Sequence, residues 1–329
     1  MKKTILVCGA GGFIGHHLVK RLKSEGHTVI GADVKYPDYE KSEADEFLLG
    51  DLTLVENCKK AVSPNGKAVD EIYQLAANMG GAGFIFTGEH DDEVMHNSVL
   101  INLHILHEAV KAGVKKVFYS SSACMYPAYN QMDPNNPKCS EDSAYPAAPD
   151  SEYGWEKLFS ERLYLTYAKL NPIEVRIARY HNIYGPLGTW QGGREKAPAA
   201  ICRKVALCEN NGTIEIWGDG LQTRSFLFIE DCVDATRLLM DSVHTGPVNI
   251  GSEEMVTINQ LVDIAASVAK KKIHTKHIDG PLGVRGRNSD NALIEQYLNW
   301  KPKYTLQQGI QRTYDWIVTQ IEKSQQKAA

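Results

Sequence analysis

The chain has 329 residues, 43% of them hydrophobic, and its 36 basic and 40 acidic residues leave a formal net charge of -4. That length suits one large α/β domain carrying a smaller second one. The charges are interleaved without a like-charged block, which argues against nucleic-acid and membrane-surface partners, and no run approaches the roughly 20 apolar residues of a membrane-spanning helix.

The seven cysteines are odd in number, irregularly spaced and without a C-x-x-C pair, as expected of reduced thiols in a soluble, cytoplasmic protein. The sequence points to no metal site. Met1-Lys2-Lys3 before an apolar run superficially resembles a leader peptide, but Thr4 to Val7 is too short and runs into glycines. Thr4 to Cys8 therefore reads as a first strand. A helix is predicted from about Phe13 to Glu25, stopping at Gly26, followed by a strand over Thr28 to Ala32 that ends on Asp33. Helices are predicted near Leu54 to Ala61, Glu93 to Ala112 and Tyr153 to Leu170, and strands at Glu71 to Leu75, Val117 to Ser120 and Ile173 to Ala178. Short apolar strands alternating with amphipathic helices predict an α/β, Rossmann-like doubly wound parallel sheet. The proline-rich stretch 127–149 lacks periodicity and reads as a long loop arching over the site. Beyond about Tyr180 the alternation weakens. Ile258, Leu261, Val262, Ala265 and Val268 keep helical spacing, and Leu306 to Ile321 reads as a terminal amphipathic helix. Residues 1–180 are expected to bind a cofactor, and 181–329 to form a smaller mixed α/β substrate domain with segments crossing back. Trp217 and Trp300 read as core.

A strand entering Gly9-Ala10-Gly11-Gly12-Phe13-Ile14-Gly15 allows a tight turn, a close approach to a pyrophosphate, and helix N-terminal N–H groups aimed at it. Asp33 closes the second strand, where a carboxylate accepts bonds from a ribose diol and repels a 2′-phosphate. This favours NAD over NADP. Asp51, after the third strand region, is placed either for adenine contact or for a turn.

Tyr153 and Lys157, at i and i+4, share one helical face, and a lysine cation can favour the phenolate of a tyrosine whose pKa is ordinarily ~10. Ser120-Ser121-Ser122 ends a predicted strand 31 residues upstream. Glycine turn, serine and Tyr-Lys pair in this order resemble the extended short-chain dehydrogenase/reductase family, over essentially the whole chain. The resemblance implies that Tyr153 takes a sugar hydroxyl proton during oxidation by NAD, that Lys157 holds the nicotinamide ribose, and that Ser122 assists. It also implies cofactor contacts at Gly9, Gly12, Phe13, Ile14, Gly15, Asp33, Asp51, Tyr153 and Lys157.

Ser121-Ser122-Ala123-Cys124-Met125-Tyr126-Pro127 carries a thiol where simple 4-epimerases have threonine. Together with Asn78-Met79-Gly80-Gly81, Gly192-Gly193-Arg194-Glu195-Lys196-Ala197-Pro198, Gly218-Asp219-Gly220-Leu221-Gln222-Thr223-Arg224 and Val284-Arg285-Gly286-Arg287, it is similar to the 3,5-epimerase branch of that family, whose members act on GDP-mannose. Asn78 stands where the branch has aspartate, and 87–97 is longer by two residues. The implied reaction oxidises C4 of the hexose, which acidifies the C–H bonds at C3 and C5 for inversion, and then reduces C4 again. Cys124 and Lys196 are the implied acid and base, with their roles at each centre undivided. Carried over as substrate contacts are Gly80, Ser122, Ala123, Cys124, Asn182, Glu195, Lys196, Ala197, Lys204, Gln222, Thr223, Arg224 and Arg287. The expected product is GDP-L-galactose, with GDP-L-gulose as a second one, and the alternatives are C4 epimerisation, action on a related GDP-hexose or GDP-heptose, and a silent nucleotide-sensing scaffold. The helices 93–112 and 153–170 are those through which relatives form a four-helix homodimer interface.

Overall fold

The computed structural model describes residues 1–280 and 283–328. In chain order its elements are β1 (Thr4–Cys8), α1 (Phe13–Ser24), β2 (Thr28–Asp33), β3 (Glu46–Leu49), α2 (Val55–Val62), β4 (Glu71–Gln74), α3 (Ala82–Ile85), α4 (Asp91–Ala112), β5 (Lys116–Ser122), α5 (Glu152–Leu170) and β6 (Glu174–Tyr180). After these come β7 (Ile183–Tyr184), α6 (Ala197–Leu207), β8 (Thr213–Trp217), β9 (Thr223–Ser225), β10 (Leu227–Phe228), α7 (Ile229–Asp241), β11 (Val248–Ile250), β12 (Met255–Thr257), α8 (Ile258–Ala269), β13 (His274–Ile278), β14 (Gly286–Arg287), α9 (Ala292–Leu298) and α10 (Leu306–Ala328).

Seven strands form one sheet in the order β11-β6-β5-β4-β1-β2-β3, every pair parallel. Side chains alternate faces along a strand, so a sheet covered on both sides must be apolar at every position. β1 meets this requirement: Ile5 and Val7 join one core cluster with Leu18 and Leu22 of α1, whereas Leu6 and Cys8 join another with Cys58 of α2 and Ile105 of α4. Helix ends follow local chemistry. Gly113, at φ +81, takes the left-handed C-cap of α4 without a Cβ penalty, and Thr257 with Gln260 forms a reciprocal capping box on α8.

The later half builds a smaller layer from the β8-β13 pair, the β12-β9-β14 sheet and α6, α8 and α10, and it also contributes to the main sheet. β11 pairs with β6 in register from Val248 opposite Ala178, and α7 packs on α1. The 127–149 stretch contains two short 3-10 turns. It is pinned by buried Gln131, which donates to the carbonyls of Tyr126 and Pro127, and by the Thr223 hydroxyl on the Pro134 carbonyl. Trp300 is core at 3% exposure, but Trp217 is not. It ends β8 with 41% of its surface exposed, because the alternation Thr213, Glu215, Trp217 puts it on the solvent side while Ile214 and Ile216 face inward.

Candidate active site

β1 runs into a turn in which Gly9, at φ +83, donates to the Ala32 carbonyl at 2.8 Å and accepts from Gly12 N at 3.1 Å. A Cβ on Gly15 would lie 2.0 Å from the Gly9 carbonyl oxygen, and one on Gly11 would lie 2.1 Å from that of Lys35, so these positions require glycine. Gly12 N-caps α1 with no side chain closing the helix end, which leaves first-turn N–H groups for an anion. The Asp33 carboxylate accepts from Gly11 N at 2.9 Å and Lys35 N at 3.2 Å. Burial raises its pKa, opposed by those backbone bonds. A pocket opens beside the turn between Phe13, His16, Lys35, Tyr39 and Leu187. This cradle fits a dinucleotide, with the diphosphate at the α1 terminus and a ribose diol at Asp33. Asp51 lies alongside, since Gly50 N donates to the Asp33 carbonyl, but it is exposed and its carboxylate accepts from Thr53 N at 2.8 Å, a turn contact.

At the ends of β5 and the start of α5 the structure brings Ser122, Tyr153 and Lys157 together. Ser151 caps α5, its hydroxyl accepting from Gly154 N. The Lys157 Nζ donates to the Ser120 carbonyl at 3.2 Å and lies 5.6 Å from the Tyr153 ring centre. Tyr153 is 6% exposed, and burial is the largest influence raising its pKa. The Cys124 and Glu156 charges raise it further, and the Ser122 hydrogen bond and Arg287 oppose. In the protein alone the phenol therefore keeps its proton.

Cys124 follows in the turn capped by the Ser122 hydroxyl, which accepts from Cys124 N at 3.2 Å. Its sulfur accepts from Arg287 Nη1 at 3.0 Å. Lys196, the N-cap of α6, comes from the other half of the chain. Burial lowers the Lys196 pKa, and the nearby Cys124 charge opposes that shift, so thiol and amine lie close enough to feel each other's charge. Two backbone contacts bring the halves together. Gly81 N donates to the Arg194 carbonyl at 3.0 Å, and Gly81 abuts Glu195 so closely that a Cβ would lie 2.4 Å from its carbonyl oxygen.

Ala123 and Gly80 are buried beside the serine and α3, and Ala197 opens α6. Asn182, at φ +44, donates to the Ser225 carbonyl. Gln222 donates to the Trp217 carbonyl while its Oε1 is buried without a protein partner, leaving an acceptor for a ligand donor. Arg224 is tied to the Thr223 and Val284 carbonyls, and burial followed by the Arg287 charge lowers its pKa to about 10. Glu195 accepts from Gly193 N and Arg203, and Lys204 donates to the Glu215 carbonyl, so both side chains have structural partners as well. Sequence reasoning missed Gln131 and Asp150, which hold the Arg287 guanidinium, and Glu156, buried beside Lys157. Neither loop residue has a local signal, since Arg287 lies more than 130 residues from both. Glu156 could have been flagged as a carboxylate within the Tyr-Lys helix.

Comparison with known proteins agrees with this geometry. Residues 5–251 match the NAD dependent epimerase/dehydratase family. A GDP-mannose 3,5-epimerase of Arabidopsis thaliana is 47% identical over 327 residues, covering 99% of this chain and 85% of that protein, and GDP-mannose 3,5-epimerase 1 of Oryza sativa subsp. indica is 48% identical over 98% and 83%. The fold matches that of a Thermotoga maritima UDP-glucose 4-epimerase with a TM-score of 0.84 at 24% identity, covering 97% and 99% of the two chains. With the glycine cradle, the Ser-Tyr-Lys group and these relatives together, the chain belongs to the NAD dependent epimerase/dehydratase family, in the sequence group of the GDP-mannose 3,5-epimerases.

Proposed function

We propose that this protein is an NAD-dependent isomerase that converts GDP-mannose to GDP-L-galactose, with the C5 epimer GDP-L-gulose as a second product. The observation that carries the reading is the electrostatic proximity of Cys124 to both Lys196 and Tyr153 of the Ser122-Tyr153-Lys157 group, in a chain nearly half identical to enzymes of that name. NAD, when bound, supplies the oxidation of the sugar at C4 and its reversal. Gly9, Gly12, Phe13, Ile14 and Gly15 hold its diphosphate, Asp33 its adenosine ribose, and Tyr153 and Lys157 its nicotinamide side, with Asp51 bordering the adenine end. Tyr153 receives the C4 hydroxyl proton, Ser122 orients that oxygen, and the Lys157 cation favours the phenolate once the cofactor's own charge is in place.

A C4 ketone makes both neighbouring C–H bonds acidic. Cys124 and Lys196 then act as the acid–base pair, one withdrawing a proton from C5 or C3 and the other returning one to the opposite face. Depression of the Lys196 pKa by burial suits this, because a lysine that gives up its proton more readily is better able to act as a base as well as an acid. Arg224 and Arg287 supply guanidinium donors for the diphosphate, and Gln222 an acceptor for the nucleotide. Gly80, Ala123, Asn182, Glu195, Ala197, Lys204 and Thr223 line the remainder. In this reading residues 1–180 chiefly bind the cofactor and 181–329 chiefly the sugar nucleotide.

The seven free cysteines accord with a reducing, cytoplasmic setting. Exposed Trp155, Phe159 and Leu165 on α5 support a homodimer formed by α4 and α5 of two copies. The test is incubation of the protein with NAD and GDP-mannose in heavy water, with the sugar followed by NMR. Deuterium is expected at C5 and C3, and Cys124→Ser or Lys196→Met should reduce its entry by about 10²- to 10⁴-fold. Inversion at C4 without exchange at C5 would instead mark a 4-epimerase.

A further inference from the structure

Glu156 is a fully buried carboxylate that the mechanism above does not use. One oxygen, Oε1, accepts from Asn102 Nδ2 at 3.0 Å and from the Ser160 hydroxyl at 2.7 Å. Asn102 is in turn fixed by Gln74 of β4 and by the Tyr164 hydroxyl, so the carboxylate is anchored from β4, α4 and its own helix. The other oxygen, Oε2, has no hydrogen-bond partner and lies 3.8 Å from Lys157 Nζ. A carboxylate this deep is normally fully bonded, because an unsatisfied buried charge costs several kcal/mol. Its free oxygen is aimed at the lysine that governs Tyr153.

We propose that Glu156 is a positioning residue for the proton on Tyr153: its anchored carboxylate draws the Lys157 ammonium toward the Ser120 side and offsets its charge, so the phenolate stays basic enough to take the C4 hydroxyl proton and hold it while the sugar is a ketone. The inference rests on the functional reading above. In an isomerase the hydroxyl proton passes from the C4 oxygen to Tyr153 Oη as C4 is oxidised, and the same proton must pass back as C4 is reduced. A phenolate stabilised by an uncompensated lysine is a weaker base, so it would resist the first transfer and give the proton back too soon. Charge balance at Lys157 therefore sets how long the sugar waits as a ketone.

The charged and titratable groups around this pair are few. Tyr153 meets Cys124 and Arg287 on the substrate side and Glu156 from within its helix. Glu156 meets Lys157, Tyr119 of β5 and Tyr164 of α5, and both tyrosines are held protonated chiefly by burial, then in part by its charge. Removing the Glu156 charge takes a negative group away from Tyr153 and frees Lys157 to approach it. Both changes favour the phenolate.

The experiment places a fluorinated tyrosine, intrinsically more acidic than tyrosine, at position 153 and follows its ¹⁹F shift against pH in the full-length protein without substrate. Glu156→Gln is expected to lower the midpoint by about one pH unit. Glu156→Asp, which withdraws the charge by one methylene, should lower it by less. If Glu156→Gln does not fold, Glu156→Asp decides alone. Coincident midpoints overturn the proposal. In the unlabelled enzyme with NAD and GDP-mannose, Glu156→Gln should lower the steady-state near-ultraviolet absorbance of reduced nicotinamide several-fold and lower kcat, with KM within twofold. Lower kcat without that fall in absorbance, or with unchanged pH dependence, also overturns it, as a merely structural role would behave. A moved ¹⁹F midpoint in a protein that does not turn over GDP-mannose would sink the assigned reaction and leave the positioning role standing.

Discussion

Substituting Gly81 by alanine tests how Lys196 is placed. The new Cβ would begin 2.4 Å from the Glu195 carbonyl oxygen and 3.1 Å from its carbon. Ordinary contact begins about 1 Å farther out. The obstacle is main chain, held by Gly81 N on the Arg194 carbonyl and by the Glu195 side chain on Gly193 N and Arg203. The 194–196 segment must therefore shift by about 1 Å, and Lys196, its last residue, moves with it. A displacement of that size at the proposed acid–base group costs on the order of 100-fold in rate, which is about 2.7 kcal/mol. Solvent deuterium entry at C5 of GDP-mannose should fall by that factor, while NAD binding, measured by fluorescence quenching, stays within twofold. Gly83→Ala serves as control, because its Cβ would meet Trp217 at 3.5 Å, an ordinary contact. Exchange in Gly81→Ala within threefold of Gly83→Ala would refute the reasoning.

Arg179 and Glu161 form a buried pair, each side chain 3% exposed, joined by two bonds at 2.8 and 2.9 Å and extended to Tyr126, Glu141 and Ser121. Arg179→Met leaves the carboxylate unpaired and should cost about 3–5 kcal/mol, whereas Arg179→Met with Glu161→Leu should cost less; urea denaturation of single and double variants checks both. His181 is buried with its pKa lowered to about 3, burial being the chief cause, so it stays neutral in the fold while the unfolded chain protonates near pH 6.5. Its folded pKa is depressed, so stability is fully present above pH 6.5 and is lost as pH falls toward 3. The contribution is about 2 kcal/mol between pH 6.5 and 5. His181→Gln should flatten that part of a stability–pH curve from urea midpoints, and an unchanged slope would rule out His181 as its source.

The sequence made the first half of the sheet legible because each strand is bounded by a glycine or a helix long enough to show its period. The predicted Glu71 to Leu75 strand is β4 and the predicted Glu93 to Ala112 helix is α4, each within two residues of its observed ends. β11 was not legible. Three residues, Val248 to Ile250, are too few to show alternation, and only pairing with β6 makes them a strand. Trp217 reads as core in the sequence, whereas the alternation of β8 turns it to the solvent side. Within the site, the glycine turn and the Tyr153–Lys157 spacing are local signals, and Cys124 with Lys196 rests on long motifs. The partners of Arg287 are distant in sequence, so no window could reveal that its guanidinium spans Cys124, Gln131 and Asp150.

The arrival of β11 at the open edge of β6 also bears on how the protein can be divided. A fragment ending near residue 180 would keep the whole cofactor turn and the Tyr-Lys helix, and on function alone it looks self-sufficient. Its sheet would end on β6, with the main-chain groups of Ala178, Arg179 and Tyr180 unpaired and the α1 face that α7 covers laid bare. Such an edge recruits strands from other molecules. The fragment should therefore aggregate when expressed alone, so the boundary proposed between cofactor work and sugar work is not a place where the chain can be cut.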